Sequence, residues 1–160
     1  MSCRYKGCTS LKTVKIPSNV TTIPGSCFYG CSSLESVIIP EGVTTIGICA
    51  FAVCNLNALT LPESLEKIGV SAFGSNSSLK SVNIPAKVKT IDESAFSYCG
   101  LTDLVIQEGV QVIGQDAFSN NSLENLTLPS TITKIDDEVF SHNNNLRTIT
   151  CNAVTPPTLG

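Results

Sequence analysis

The sequence is poor in the residue types that most enzymes and nucleic-acid-binding proteins depend on. Its 160 residues include no tryptophan, one methionine and one histidine, and only 14% are charged. Soluble domains typically carry about 25% charged residues. The net charge is -3, with acidic and basic residues interspersed, whereas nucleic-acid binding needs a concentrated basic surface. We therefore do not expect nucleic acid among the partners of this chain.

Long apolar runs are also missing. No run approaches the roughly 18 residues that a membrane-spanning helix requires, so we expect no membrane insertion. The first six residues contain no apolar segment of the kind found in secretory signal peptides. Two alternatives stay open: a cytoplasmic protein, or a protein whose signal is not part of this chain.

Sequence motifs of catalysis are absent too. The sequence contains no GxGxxG, GxxxxGKS, HExxH or GxSxG pattern. His142 lies in an asparagine-rich stretch that is typical of a surface turn. A cysteine–histidine nucleophile pair needs a neighbouring cysteine, and Cys99 is expected two repeat units away. We expect no enzyme activity and no cofactor.

What the sequence does contain is an internal repeat. Leucines at positions 11, 34, 56, 79, 101, 123 and 146 open equivalent segments that are 22 or 23 residues long. A period of this length is typical of solenoids built from stacked leucine-rich units. The fourth unit displays the pattern through its residues Leu79, Val82, Ile84, Pro85, Val88, Ile91, Ala95, Phe96 and Cys99.

Each part of the unit predicts a local structure. The alternating apolar residues after the leucine predict a strand with one buried face. The proline that follows ends the strand, because it has no N–H to donate. A second extended segment comes next. The Ala-Phe stretch then predicts a short helical or 3-10 turn, with Asp92, Gly114 and Asp136 at the position of a cap.

The repeat predicts one domain over residues 1–160. It consists of a partial repeat over 1–10, full repeats that begin at 11, 34, 56, 79, 101 and 123, and a partial repeat over 146–160. The last unit lacks the second half of the pattern, and neither end carries the polar cap that solenoids need. We expect either a fragment of a longer protein or end-to-end self-association.

These residues resemble the BspA-like, or Treponema-type, leucine-rich repeats. The proline after the strand and the Ala-Phe after the second segment distinguish this class, and the match runs from Tyr5 to Thr150. The resemblance implies a right-handed solenoid of the α/β class in which strands dominate. It also implies a bacterial, often Bacteroides-like, cell-surface or secreted protein with a protein ligand, linked to adhesion.

Most of the eight cysteines occupy repeat positions. Cys8, Cys31, Cys54 and Cys99 share one position two or three residues before a leucine, and Asn76, Asn120 and Asn143 fall in or near it. This pattern favours buried free thiols. No short CxxC pair is present to hold zinc. Cys27 replaces a core alanine, and Cys3, outside the register, is the thiol expected to be exposed.

Four acidic residues are the candidates for a metal site. Asp92, Asp116, Asp136 and Asp137 follow the second strands of units four to six. Stacked carboxylates about 5 Å apart offer the oxygen ligands that Ca²⁺ prefers. The alternative is a solvated face whose acids favour helix N-termini.

Two columns of predicted outward-facing residues are the candidates for partner binding. Their residues vary between repeats, while the inward columns stay apolar. The candidates are Lys12, Lys15, Glu35, Ile38, Lys80, Asn83, Val105, Glu124 and Arg147. Apolar residues on an exposed strip indicate contact, but no aromatic anchor is present. A protein-binding module and a spacer that displays another domain both remain possible interpretations.

Overall fold

The computed structural model describes residues 5–160, which form a solenoid of thirteen short strands with no helix in that range. The strands are β1 (Thr13–Lys15), β2 (Thr22–Ile23), β3 (Ser36–Ile38), β4 (Thr45–Ile46), β5 (Lys67–Ile68), β6 (Ser81–Ile84), β7 (Thr90–Ile91), β8 (Asp103–Ile106), β9 (Val112–Ile113), β10 (Asn125–Leu128), β11 (Lys134–Ile135), β12 (Thr148–Cys151) and β13 (Thr158–Leu159). No helix long and apolar enough to cross a bilayer occurs in this part of the chain.

The back of the solenoid is one continuous parallel sheet. Its seven strands follow the order β13-β11-β9-β7-β5-β4-β2. Each unit contributes two residues, and the second is almost always an isoleucine that points into the core. Ile23 pairs with Ile46, for example, and Ile46 with Ile68. A β-branched residue suits a strand that is buried on one side.

The front is divided. Three separate two-stranded parallel sheets form there, from β1 and β3, β6 and β8, and β10 and β12. The third unit contributes no front strand. It joins the second unit at the front through a bridge between Ser36 and Ala58 and through backbone hydrogen bonds from Asn55 and Asn57. The rod is therefore held continuously along its back and intermittently along its front.

Stacked aromatic rings fill the interior beside the turns. Six consecutive ring pairs have centroids 5.2 to 5.9 Å apart and lie within 9° of parallel. The rings belong to Tyr5, Phe28, Phe51, Phe73, Phe96, Phe118 and Phe140. Each ring covers its neighbours in the adjacent units, so the four central ones are completely buried.

The predicted helical or 3-10 turn is wrong for residues 5–160. The Ala-Phe segment forms turns in which alternate N–H groups donate to the next unit, as in the bond from Phe51 N to Ala72 O at 2.8 Å, while those between donate within the turn, as Ala50 N does to Gly47 O. A helix would direct these groups along its own axis instead. The turns need a left-handed residue on each side of the Ala-Phe pair, such as Ser94 and Tyr98. Asp92, Gly114 and Asp136 therefore cap no helix.

The last unit is more complete than its sequence predicts. Its Thr158 and Leu159 pair with Lys134 and Ile135 as a second strand, although the Val-x-x-Ile pattern is absent. Leu159 is 78% exposed and Ile149 is 50% exposed, whereas their equivalents in the central units are buried. End-to-end self-association through these surfaces stays a prediction.

One buried position per unit links the turns of neighbouring units. This stacking position holds Cys8, Cys31, Cys54, Asn76, Cys99, Asn121 and Asn143. From Cys31 onward, each side chain donates a hydrogen bond to the carbonyl of the aromatic residue one unit earlier. Cys99 Sγ reaches Phe73 O at 3.3 Å, and Asn121 Nδ2 reaches Phe96 O at 2.9 Å. The occupant in unit five is Asn121 rather than the expected Asn120, which adopts a left-handed turn conformation.

The spacing to the next leucine explains the choice between cysteine and asparagine. A leucine three positions after the stacking position donates its N–H to the carbonyl there, as Leu34 does to Cys31 O at 2.8 Å. A leucine only two positions after the stacking position does not form this hydrogen bond. Its N–H donates instead to the side chain of an asparagine in the next stacking position. The second kind comprises Leu56 with Asn76, Leu101 with Asn121 and Leu123 with Asn143. The first kind includes Leu11, Leu34 and Leu79, after which the next stacking positions hold Cys31, Cys54 and Cys99.

Asn121→Cys tests this dependence. Cysteine retains a donor but leaves the buried N–H of Leu101 without an acceptor, which costs about 1–3 kcal/mol. We expect the free energy of unfolding in urea to fall by that amount. Inserting one serine after Gly100 in the same variant places Leu101 three positions after Cys99, and we expect part of the loss to be recovered. A fully stable Asn121→Cys variant would contradict the account.

Close backbone contact makes glycine necessary at Gly47. A Cβ atom there would lie 2.5 Å from the backbone nitrogen of Gly25. We expect Gly47→Ala to lower the free energy of unfolding by about 1–3 kcal/mol, because the backbones of two units would have to separate. Gly74→Ala is the matched control, since its added Cβ would have no neighbour closer than 3.5 Å. Equal thermal stability of the two variants would refute this interpretation.

Candidate interaction surface on the front face

The front face is the surface formed by two columns of exposed side chains beside the front strands. One column follows the leading leucines and contains Lys12, Glu35, Asn57, Lys80, Thr102, Glu124 and Arg147. The other lies between the buried strand residues and contains Lys15, Ile38, Thr60, Asn83, Val105, Thr127 and Thr150. All fourteen are exposed, so the structure places every candidate binding residue on one solvent-facing surface.

Strand register aligns the second column. Lys15 pairs with Ile38, and Asn83 pairs with Val105. Directly paired residues of neighbouring strands have side chains on the same face, so these residues stand one above another along the rod. Ile38 is 62% exposed and Val105 is 56% exposed. Their role in partner binding remains a prediction.

The acidic residues of the front face have no ion-pair partner. Within residues 5–160, the salt bridge that forms joins Lys134 to Asp136, away from the front. Glu35, Glu124 and the adjacent Asp103 are exposed and form no ion pair with a lysine or arginine in this part of the chain. These carboxylates are therefore available to a partner.

The four aspartates proposed for calcium do not converge. Asp92, Asp136 and Asp137 line one depression beside the back sheet, while Asp116 lines another with Glu138. The reason is register: Gly114, not Asp116, occupies the position of Asp92 and Asp136 in its unit. Residues 5–160 contain no group of three or more histidine, cysteine, aspartate or glutamate side chains able to hold a metal ion.

The buried cysteines are held in their neutral form. Burial raises the pKa of the Cys54 and Cys99 thiols to about 12, and it also raises the pKa of Cys31. A thiol is a nucleophile only as the thiolate, so these side chains act as hydrogen-bond donors. Within residues 5–160 the cysteines form no disulfide, and Cys151 is exposed. The expectation for Cys3 lies outside the described residues.

The raised thiol pKa values make stability depend on pH above about 9. The unfolded thiol loses its proton near its ordinary pKa of 9.0, whereas buried Cys99 keeps its proton until about pH 12. Deprotonation thus favours the unfolded state, and stability is lost as pH rises through this window. We expect the melting temperature to fall between about pH 9 and pH 11 for this reason.

Cys99→Ser is the variant that isolates this effect. A serine hydroxyl can still donate to Phe73 O but does not titrate in that range. We expect a shallower decline of melting temperature with pH than in the unsubstituted chain. Identical slopes would show that Cys99 does not contribute to the alkaline loss of stability.

His142 lies on an exposed turn, as its sequence context predicts. It lines a depression together with Asp116, Glu138 and Tyr98, and no cysteine lines that depression. Its backbone has a φ of 55°, the left-handed conformation that recurs in every complete unit.

The repeat geometry agrees with a match to a known family. Six copies of the BspA type leucine-rich repeat region match residues 2–124 and 75–156. The chain belongs to this BspA-type family. A comparison with curated protein sequences found no match.

Solved structures of bacterial members of the leucine-rich class are similar. A leucine-rich cell surface protein from Faecalibacterium prausnitzii A2-165 is 32% identical, with a TM-score of 0.83 over 92% of this chain and 40% of that one. The T. pallidum leucine-rich repeat protein is 29% identical, with a TM-score of 0.69 over 98% of this chain and 63% of that one. The pneumococcal vaccine antigen PcpA is 26% identical, with a TM-score of 0.52 over 88% of this chain and 29% of that one. This BspA-type chain thus spans less than two thirds of the length of each.

The sequence pattern did not reveal the interruptions of the front sheet. Depressions occur where the front strands are not paired, and Val105 lines three of them. The inward columns are equally apolar on both sides of each interruption, so they carry no signal of it. The exposure of Val105 was the one sequence feature that pointed to this region.

Proposed function

We propose that this chain is a non-catalytic, adhesion-type protein-binding module of a bacterial cell-surface or secreted protein, and that it binds its partner through the front face. The observation that carries the proposal is the contrast between columns. The buried columns repeat the same residue types in every unit, whereas the exposed front columns vary between positive, negative, polar and apolar residues. Repeated scaffolds of this kind present extended binding surfaces.

The known structures support the location. The Faecalibacterium protein is a cell surface protein, and PcpA is a vaccine antigen. Both share the repeat fold with this chain. An extracellular or cell-surface position is therefore part of the proposal.

A structural spacer is the second candidate function. The continuous seven-stranded back sheet favours it, because such a ladder makes a stiff rod. A spacer would hold another domain away from the cell without using the front columns.

Quantitative capture with matched variants separates the two. Serine replaces Lys15, Ile38, Asn83 and Val105 in one variant, and Glu66, Lys67, Gln111 and Asp137 in the control; all eight residues are exposed. Immobilised proteins are incubated with a soluble extract of host surface proteins, and bound proteins are quantified by mass spectrometry. A binding module predicts loss of the same bound proteins from the front variant alone.

Two outcomes count against the binding proposal. Equal capture by the unsubstituted chain and both variants would favour the spacer. A loss confined to the control variant would move the binding surface off the front face. Thermal unfolding of all three proteins checks that the substitutions leave the fold intact.

A further inference from the structure

One opening in the front face lies between β8 and β10. β8 pairs with β6, and β10 pairs with β12, but no ladder joins β8 to β10. On the paired sides, Thr102 N donates to Lys80 O at 2.9 Å and Arg147 N donates to Glu124 O at 2.8 Å. No corresponding bond links Glu124 to Thr102 in the described chain. The two strands therefore lie side by side without a hydrogen-bonded ladder between them.

A groove follows this opening along the strand direction. Two depressions of about 420 and 400 Å³ share Leu104, Val105 and Asn125, so they form one continuous channel. One end is lined by Thr102 and Glu124, and the other reaches Glu108 and Pro129. Strand residues rise about 3.3 Å each, so the channel is long enough for an extended segment of about six residues.

The groove has an apolar centre and acidic ends. Val105 stands 56% exposed at its middle, beside the buried Leu104. Asp103 and Glu124 lie at one end. Glu108 lies at the other end, and its carboxylate accepts hydrogen bonds from Ser130 N and Oγ at 2.9 and 2.8 Å. No lysine or arginine lines either depression.

We propose that this groove, called here the β8–β10 groove, binds an extended basic segment of a protein partner. The segment runs parallel to the strands, places an apolar side chain over Val105 and directs a lysine or arginine toward the carboxylates at each end. The inference rests on the proposed function and specifies the chemistry of the ligand. Because β8 and β10 are in contact, the segment lies over the two strands and is recognised through its side chains.

The charge and the length of the groove both favour an extended basic segment. Two basic residues four positions apart in an extended segment are separated by about 13 Å. Glu108 follows β8 by two residues, so its distance from Asp103 is at most about 17 Å on the same basis, and the flexible stems of lysine side chains span the difference. An acidic segment of the same length meets like charge at both ends, which suppresses binding.

Fluorescence anisotropy with two labelled peptides tests the proposal. The probe is Lys-Thr-Val-Thr-Lys, and the control probe is Glu-Thr-Val-Thr-Glu. We expect the basic peptide to bind, its affinity to fall as salt rises from about 0.05 to 0.5 M, and the acidic peptide not to bind. Asp103→Asn combined with Glu124→Gln is expected to weaken binding about fivefold, the effect of two exposed charge pairs.

Val105→Thr and Ile48→Thr form a matched pair of variants. Both residues are exposed and apolar, but Ile48 lies outside the front columns. We expect Val105→Thr to weaken binding of the basic peptide and Ile48→Thr to leave it unchanged. Thermal unfolding confirms that both variants retain the fold.

Several results would overturn the inference. They are absence of binding by the basic peptide at millimolar concentration, equal binding of the acidic peptide, no effect of the Asp103 and Glu124 substitutions, or equal loss in the Val105 and Ile48 variants. If peptide binding fails while the front variant still loses its captured proteins, only the β8–β10 groove is refuted. If peptide binding succeeds while capture is unaffected by the front substitutions, the general binding proposal is at fault.

Discussion

The hydrogen bond from the stacking position to the aromatic carbonyl of the previous unit is the interaction on which the solenoid depends. A turn beside the stacked rings buries main-chain groups that water cannot reach, and a buried carbonyl without a donor is costly. Cys31, Cys54 and Cys99 supply one donor each, whereas Asn121 supplies donors and an acceptor. The side chain at the stacking position of each unit therefore matches the number of buried main-chain groups that lack another hydrogen-bond partner.

The back of the rod holds the units together, whereas the front carries the proposed binding surface. The back sheet is continuous, and its short strands place one isoleucine per unit into the core. The front strands pair only two at a time, so the spacing between them differs from junction to junction. Because the back holds the units together, the front can open at the β8–β10 groove without loss of the overall stack.

Most of the fold was predictable from the sequence, because burial imposes a strict period on it. Leucine, isoleucine and phenylalanine recur at fixed intervals, and these residues form the observed core. The turn conformation was not predictable from that period. Ala-Phe suits a helix by propensity, but the hydrogen bonds between units required left-handed residues on either side of it. Serine, asparagine or glycine signals this at only about half of those positions, since the others hold residues such as Val53, Tyr98 and Glu138.

The candidate site was predictable only in outline. Alternation along each strand placed Ile38, Val105 and their columns on the surface. It could not distinguish a paired junction from an open one, since the inward residues are equally apolar at both. The calcium hypothesis assumed one register for the four aspartates, whereas Asp116 comes two residues later in its unit than Asp92 and Asp136 and lines a different depression.

The coupling between leucine spacing and the stacking position has a consequence for how such chains can be rearranged. The spacing from a stacking position to the next leucine is set at the start of a segment. The residue twenty positions after that leucine must match this spacing, as Asn121 does for Leu101. A segment from Gly100 to Asn121 thus contains both the residue that sets the spacing and the stacking residue that fits it. A segment that begins at a leucine leaves out the residue that sets the spacing. Duplication, deletion or exchange of units preserves buried hydrogen bonding only when the boundary falls immediately after the stacking position.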